Sequence, residues 1–221
     1  MAERPIFIPA PDETGLVRVQ SCSFVWSPGF ALVQKRRNIS ALHDAAARSG
    51  YSPLLEVSTK SDQELGRQLS AFNLNVQSQE YGQIALECAF QGSKVFERGG
   101  PFTDLYHAAP REAKRDRRLQ ESGRLTGFHY DNQRFPLEPK TAFYDWLYIC
   151  ALLLQRDAFV PLYHYAGFTD IEFNPSRSIN CQARSCALFV ALTQSHLLDE
   201  AMSCETEFVR LLGKRRPPQG D

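Results

Sequence analysis

Two short apolar runs near the start of the chain, Ile6-Phe7-Ile8 and Phe24-Val25-Trp26, stand among prolines. That mixture predicts extended segments or strands over residues 1–30 rather than helix. From about Ala31 the period changes. Leu32, Ile39, Leu42 and Ala46 keep helical spacing, and Ser49-Gly50 ends this helix, whose first half carries Lys35-Arg36-Arg37. Leu54 to Ser58 reads as a short strand, and the capping-box pattern Ser61-Asp62-Gln63-Glu64 opens a short helix toward Leu69. Leu69 to Leu74 is an apolar strand or turn leading to a polar loop near Ser78 to Gly82. A helix over roughly Gln83 to Glu97 follows and stops at Gly99-Gly100-Pro101.

Beyond it, Pro110 to Leu119 reads as a very basic short helix, and Leu125 to Phe135 as a hairpin turning at Asp131-Asn132. Pro139, in a first helical turn, starts a long helix through Trp146 to about Leu154, with a shorter one over Ala158 to Tyr165. Phe168 to Phe173 alternates as a strand closed by Asn174-Pro175, and the last long helix spans about Cys181 to Leu198. The end, from Lys214 to Asp221, has the composition of a disordered basic tail. These elements predict an α+β fold, helix-rich, with a small sheet. The expected organisation is an N-terminal extended segment (1–30) packing on one main domain (31–200), then a C-terminal extension and tail (201–221).

Composition narrows the function classes only a little. The chain has 221 residues with 43% hydrophobic ones, enough for a core, and its 25 Lys and Arg balance 25 Asp and Glu. Any basic surface for nucleic acid is therefore local. No apolar run reaches the ~18 residues of a membrane span, and the first residues lack the apolar core of a signal peptide. The six cysteines form no C-x-x-C pair, which fits a reduced, cytoplasmic protein. Five scattered histidines give no zinc-binding spacing, and no glycine-rich phosphate loop is present, so neither a metal nor a cofactor is expected.

The most chemical stretch is Leu86-Glu87-Cys88-Ala89-Phe90-Gln91-Gly92-Ser93-Lys94-Val95-Phe96. On a helix, Glu87, Gln91 and Lys94 share one face at i, i+4 and i+7. A carboxylate, an amide and an amine beside aromatics suit the wall of a polar pocket; the same spacing also fits a solvated face with a weak Glu–Lys pair. Asp170 and Glu172, two apart on a strand, point to one face and suit ribose hydroxyls or a water, or simply an exposed face. Tyr144 and Trp146 suit stacking on a base, or the core. Arg184, at a helix start behind Ser178 and Asn180, suits a phosphate, or a surface ion pair. The basic segment Arg111 to Arg118 and the run at Lys35 suit a nucleic-acid backbone, although Glu112 and Asp116 are interleaved in the first.

The string from Glu87 to Phe96 resembles the signature helix of the NADAR family: Glu, two residues, an aromatic, Gln, a small residue, one more, Lys and a nearby Phe. Ser70-Ala71-Phe72-Asn73 is similar to the family's Ser-Asn-Phe strand, with Ala71 where Asn is common. Longer strings resemble one branch, the NADAR antitoxins paired with DarT-type DNA ADP-ribosyltransferase toxins. They are Ser70 to Leu74, Ala89 to Phe96, Pro136 to Tyr148, Phe168 to Pro175 and Ser178 to Ser185, and the likeness runs from about residue 5 to 195. The resemblance implies a single NADAR-like domain that removes ADP-ribose from guanine in DNA by hydrolysing the N-glycosidic bond, releasing ADP-ribose and undoing the toxin. It implies Glu87, Lys94 and Asp170 as catalytic residues, with Lys94 either an electrostatic clamp or a Schiff-base nucleophile. It implies Lys35, Ser70, Phe72, Asn73, Gln91, Trp146, Glu172, Asn180 and Arg184 as substrate-binding. Two rivals stay open: an N-glycosidase on a riboflavin-pathway pyrimidine or modified RNA, and a non-catalytic module that binds ADP-ribose or masks the toxin.

Overall fold

The computed structural model describes residues 1–13, 15–176 and 178–214, so the basic tail expected after Lys214 lies outside the described residues. In chain order the described elements are β1 (Ala2–Pro9), β2 (Val17–Phe24), α1 (Leu32–Arg48), β3 (Leu54–Glu56), α2 (Glu64–Gln68), β4 (Asn75–Ser78), β5 (Gly82–Ala85), α3 (Leu86–Gly92) and β6 (Lys94–Phe96). A 3-10 turn (Thr103–His107) leads to α4 (Pro110–Ala113), α5 (Arg118–Glu121), β7 (Leu125–Tyr130), β8 (Gln133–Phe135) and α6 (Ala142–Leu153). A 3-10 segment (Arg156–His164), β9 (Gly167–Thr169), α7 (Gln182–Gln194), α8 (Leu198–Ala201) and α9 (Glu205–Lys214) complete the order. The fold is α+β and helix-rich, as the pattern predicts, with its described strands in three small sheets. No described helix is long and apolar enough to cross a membrane.

The chain folds as two compact units built from interleaved segments. The first holds residues 1–70 and 157–198. Its four-stranded sheet has the order β2-β1-β9-β3, antiparallel except for the parallel β3–β9 pair. The proline-interrupted N-terminus is the β1–β2 hairpin of this sheet, in register from Ala2–Phe24 to Pro9–Val17. Ile6, Ile8, Cys22 and Phe24 from the sheet close a core with Ile39, Leu42, Ala45 and Ala46 of α1. Those helix positions share one apolar face.

The second unit holds residues 71–156 and 199–214. Its hairpin β4–β5 runs straight into α3, and its other sheet has the order β6-β7-β8. The β7–β8 turn falls where expected: Asp131 and Asn132 both have positive φ (45° and 62°), the backbone of a tight two-residue hairpin turn. Phe90, Phe128, Phe135 and Phe143 pack ring on ring at the centre, with Phe128 and Phe143 only 4.6 Å apart.

Several boundaries differ from the sequence pattern, each for a local reason. Ser61 does not cap a helix: its hydroxyl accepts the Gln63 amide in a turn, and α2 starts at Glu64. The helix expected over Gln83 to Glu97 is only Leu86–Gly92, flanked by β5 and β6. The Ser93 hydroxyl donates to Ala89 O at 2.7 Å, and the next residues pair with β7 instead of continuing the helix. Gly99-Gly100 therefore follows a strand, not a helix. The basic helix expected over 110–119 is broken into α4 and α5, because Asp116 Oδ1 takes the Arg118 amide. Pro139 lies before α6, which starts at Ala142.

The strand expected over Phe168 to Phe173 ends at Thr169. Asp170 Oδ1 accepts the amides of Glu172 and Phe173 and turns the chain. Asp170 and Glu172 are thus not an alternating pair on one strand face.

Candidate active site

In the second unit, α3 is buried along its whole length, and Glu87 is only 4% exposed. A buried carboxylate needs partners. Glu87 Oε1 accepts Gln91 Nε2 at 2.9 Å, one helical turn on, and Lys114 Nζ stands 3.7 Å from the same oxygen. Gln91 Oε1 in turn accepts Lys94 Nζ at 2.6 Å. The three residues of the predicted stripe therefore form one chain of contacts, although Lys94 sits in β6 and not on the helix. Aromatic faces hold both ammoniums: Lys94 Nζ lies 4.8 Å from the Phe90 centroid and Lys114 Nζ 5.4 Å from that of Phe72.

Two glycines near Lys94 permit close approaches. Gly92 packs on Tyr106 so closely that a Cβ there would meet the ring at 2.5 Å, and a Cβ on Gly100, at φ 88°, would meet Lys94 O at 2.2 Å. Burial lowers the Lys94 pKa to about 8; Glu87 opposes that shift and Lys114 adds to it. The site thus holds an acid–base pair with a poised amine in a partly dry setting.

Phe72 and Asn73 lie in the turn before β4, and Ala71 O accepts the Glu87 amide at 3.3 Å, so this turn adjoins the helix start. Trp146, on α6, packs against Phe135 and Tyr130, at centroid distances of 5.0 and 6.2 Å. Lys114 was legible only as one of a basic run, and its contact with Glu87 gives it a place in the site. Arg118, from the same run, is committed elsewhere: its guanidinium is clamped by Asp104 and Asp116 over the Phe102 ring.

The first unit gathers a second polar group. Asp170 is 8% exposed at the end of β9, and Gln182, at the start of α7, hydrogen-bonds to it. Glu56, 1% exposed, accepts Ser58 Oγ (2.7 Å) and the Ile171 amide (2.9 Å) on Oε1 and Thr169 Oγ1 (2.8 Å) on Oε2. His43 Nε2 lies 2.8 Å from Thr169 Oγ1, and with the threonine proton given to Glu56 the imidazole is the donor. Desolvation, then the neighbouring Glu56, pushes Asp170 up to about 8, and desolvation raises Glu56 as well. Lys35 pairs with Glu172 at 2.6 Å. Asn180 precedes α7 and Arg184 lies in its first turn, and Ser70 is buried after α2. Glu56 escaped the sequence reading, although an acid inside Leu54-Leu55-Glu56-Val57 was its signal.

No curated protein matches the chain. The family described as DarT1-associated NADAR antitoxin matches residues 2–219, nearly the full length. The chain belongs to that family.

Proposed function

We propose that this chain is an ADP-ribosylguanine glycohydrolase that removes ADP-ribose from DNA in the cytoplasm, as the antitoxin to a DarT-type DNA ADP-ribosyltransferase toxin. The observation that carries this reading is the line from buried Glu87 and Gln91 to half-buried Lys94, with Lys114 on the same carboxylate. Hydrolysis breaks the bond between C1″ of the ribose and the guanine amino nitrogen, and the bonding pair leaves with the nitrogen, which takes a proton. Water then adds to C1″ and gives up a proton. Glu87 suits this second step: a carboxylate stabilises the cationic, oxocarbenium-like carbon or takes the proton of the attacking water, and its described ion pair and side-chain hydrogen bond both engage Oε1. Lys94 and Lys114 are the acids at hand for the departing base and the cations for a diphosphate.

The Lys94 pKa favours a second route at the same site. With a pKa of about 8, about a tenth of the amine is neutral near pH 7. Its lone pair adds to C1″ of the ring-opened sugar, guanine leaves with a proton, and water hydrolyses the resulting imine. Borohydride added during turnover separates the routes: a reduced ADP-ribose adduct on Lys94 supports the imine, and unmodified Lys94 under full turnover excludes it.

The reading is tested directly on substrate. Protein incubated with ADP-ribosylated DNA releases free ADP-ribose and restores guanine. Tight binding without release contradicts it in favour of a binding module, and turnover confined to small pyrimidine glycosides contradicts it in favour of a different N-glycosidase.

A further inference from the structure

Behind the β7–β8 turn the second unit contains a pocket of about 190 Å³ that shares no lining residue with the Glu87–Lys94 line. Two buried polar atoms in its wall, Gln133 Oε1 and Trp146 Nε1, have no hydrogen-bond partner among the described residues, and the Tyr130 hydroxyl opens on the same wall. Tyr130 is 3% exposed, and burial pushes its phenol up, so the hydroxyl stays neutral. The Ser78 hydroxyl, which gives its own proton to Asp131 Oδ1 at 2.5 Å, is the one side chain among the described residues that reaches it. Leaving two such atoms dry and unpaired is unfavourable, and their convergence with the Tyr130 hydroxyl on one pocket marks a place built to receive polar groups.

We propose that this pocket is a nucleobase-binding site. The wall offers a fixed donor (the Trp146 indole N–H), an acceptor (the Gln133 amide oxygen) and the Tyr130 hydroxyl, which serves as either. A base edge carries the complementary N–H and carbonyl or ring nitrogen. Aromatic rings and Val76 and Leu147 supply the apolar surface that a planar heterocycle covers. Its volume lies below the ~300–1,000 Å³ that encloses a drug-sized ligand, so it takes one ring system and not a whole nucleotide. The Asp131 carboxylate in the wall repels phosphate, which excludes the charged part of a nucleotide and leaves the base. Exposed Gln77 and Gln79 form its rim, so the sugar and phosphate remain in solvent. The proposal rests on this pocket and stands apart from the hydrolase reading. A link to the Lys94 site exists all the same: the Tyr106 ring lies 6.1 Å from that of Tyr130, and its hydroxyl is 3.0 Å from Ser93 Oγ, next to Lys94 in sequence.

The chain has two tryptophans, Trp26 and Trp146, so a Trp26→Phe protein reports on the pocket through Trp146 emission alone. The probes are guanosine monophosphate, ADP-ribose, an unmodified single-stranded oligonucleotide and, as a control without a base, ribose 5-phosphate. The expected result is a saturable change with at least one base-bearing probe and none with ribose 5-phosphate. Which base-bearing probe binds identifies whether the base comes from a DNA strand or a free nucleotide. Tyr130→Phe and Gln133→Leu each weaken that binding by about two- to ten-fold, the loss of one hydrogen bond. Gln133→Leu does not lower Tm, because it removes an unpaired buried atom. No saturable change with any base-bearing probe, an equal response to ribose 5-phosphate, or unaltered binding by both variants overturns the proposal and leaves a pocket that holds only water.

Discussion

Lys94 Nζ donates to Gln91 Oε1 at 2.6 Å across an element boundary, from the first residue of β6 back to the last turn of α3. The Gln91 amide takes that proton on one side and gives its own to Glu87 on the other, so it fixes the spacing of acid and amine without adding charge. Gln91→Glu replaces the neutral acceptor by an anion. We expect the Lys94 pKa to rise above about 8 and the rate of its acylation by an amine-reactive reagent near pH 7 to fall several-fold, read by peptide mass spectrometry. Unchanged reactivity contradicts the contact.

Lys114 separates a role in the site from a role in holding DNA. If it acts on Glu87, Lys114→Ala lowers turnover by at least about ten-fold, even on a single ADP-ribosylated nucleoside that has no DNA backbone. A phosphate contact instead weakens binding to DNA alone and lowers the salt slope by about one unit. Turnover of the nucleoside and of DNA, each over a salt series, tells the two apart.

Gly92 is required by the close approach of Tyr106. Gly92→Ala forces the ring aside and destabilises the protein by about 1–3 kcal/mol, which lowers Tm by about 2–4 °C for each kcal/mol. Thermal unfolding checks it.

The first unit carries a pH signature. Folded Asp170 keeps its proton up to about 8, whereas an unfolded aspartate releases it near ~4. Between these values the folded state binds more protons, so this group's stabilisation is full below about pH 4 and is lost as pH rises toward 8. Asp170→Asn removes that contribution. Wild-type stability should therefore fall relative to the variant across this window, by up to about 1.4 kcal/mol per pH unit. Denaturant titrations at several pH values give the difference, and parallel curves contradict it.

Much of this was legible in the chain because it depends on local chemistry. The Asp131-Asn132 turn, the helix at Leu32–Arg48 and the Glu87–Gln91 turn each follow from residues within a few positions. Lys94 reached its predicted neighbours by a different route, since Ser93 closes the helix on itself and β7 draws the next residues into a sheet. Asp170 illustrates the same limit: alternation predicts a strand, but its side chain captures two following amides. Lys114 and Glu56 stayed hidden for another reason. Their partners, Glu87 and the pair Thr169 and Ile171, are distant in sequence, and only the fold brings them together.

The proposed cleavage of the bond between ADP-ribose and guanine turns on Glu87. Glu87→Gln keeps the side chain's shape and removes its charge. The decisive measurement is single-turnover release of ADP-ribose from an ADP-ribosylated oligonucleotide by wild type and by this variant, with substrate binding measured in parallel. We expect wild type to release ADP-ribose and leave intact guanine, and Glu87→Gln to bind the oligonucleotide yet release ADP-ribose at least about a hundred-fold more slowly. Full turnover by Glu87→Gln, or no release by wild type that binds the substrate, contradicts that role.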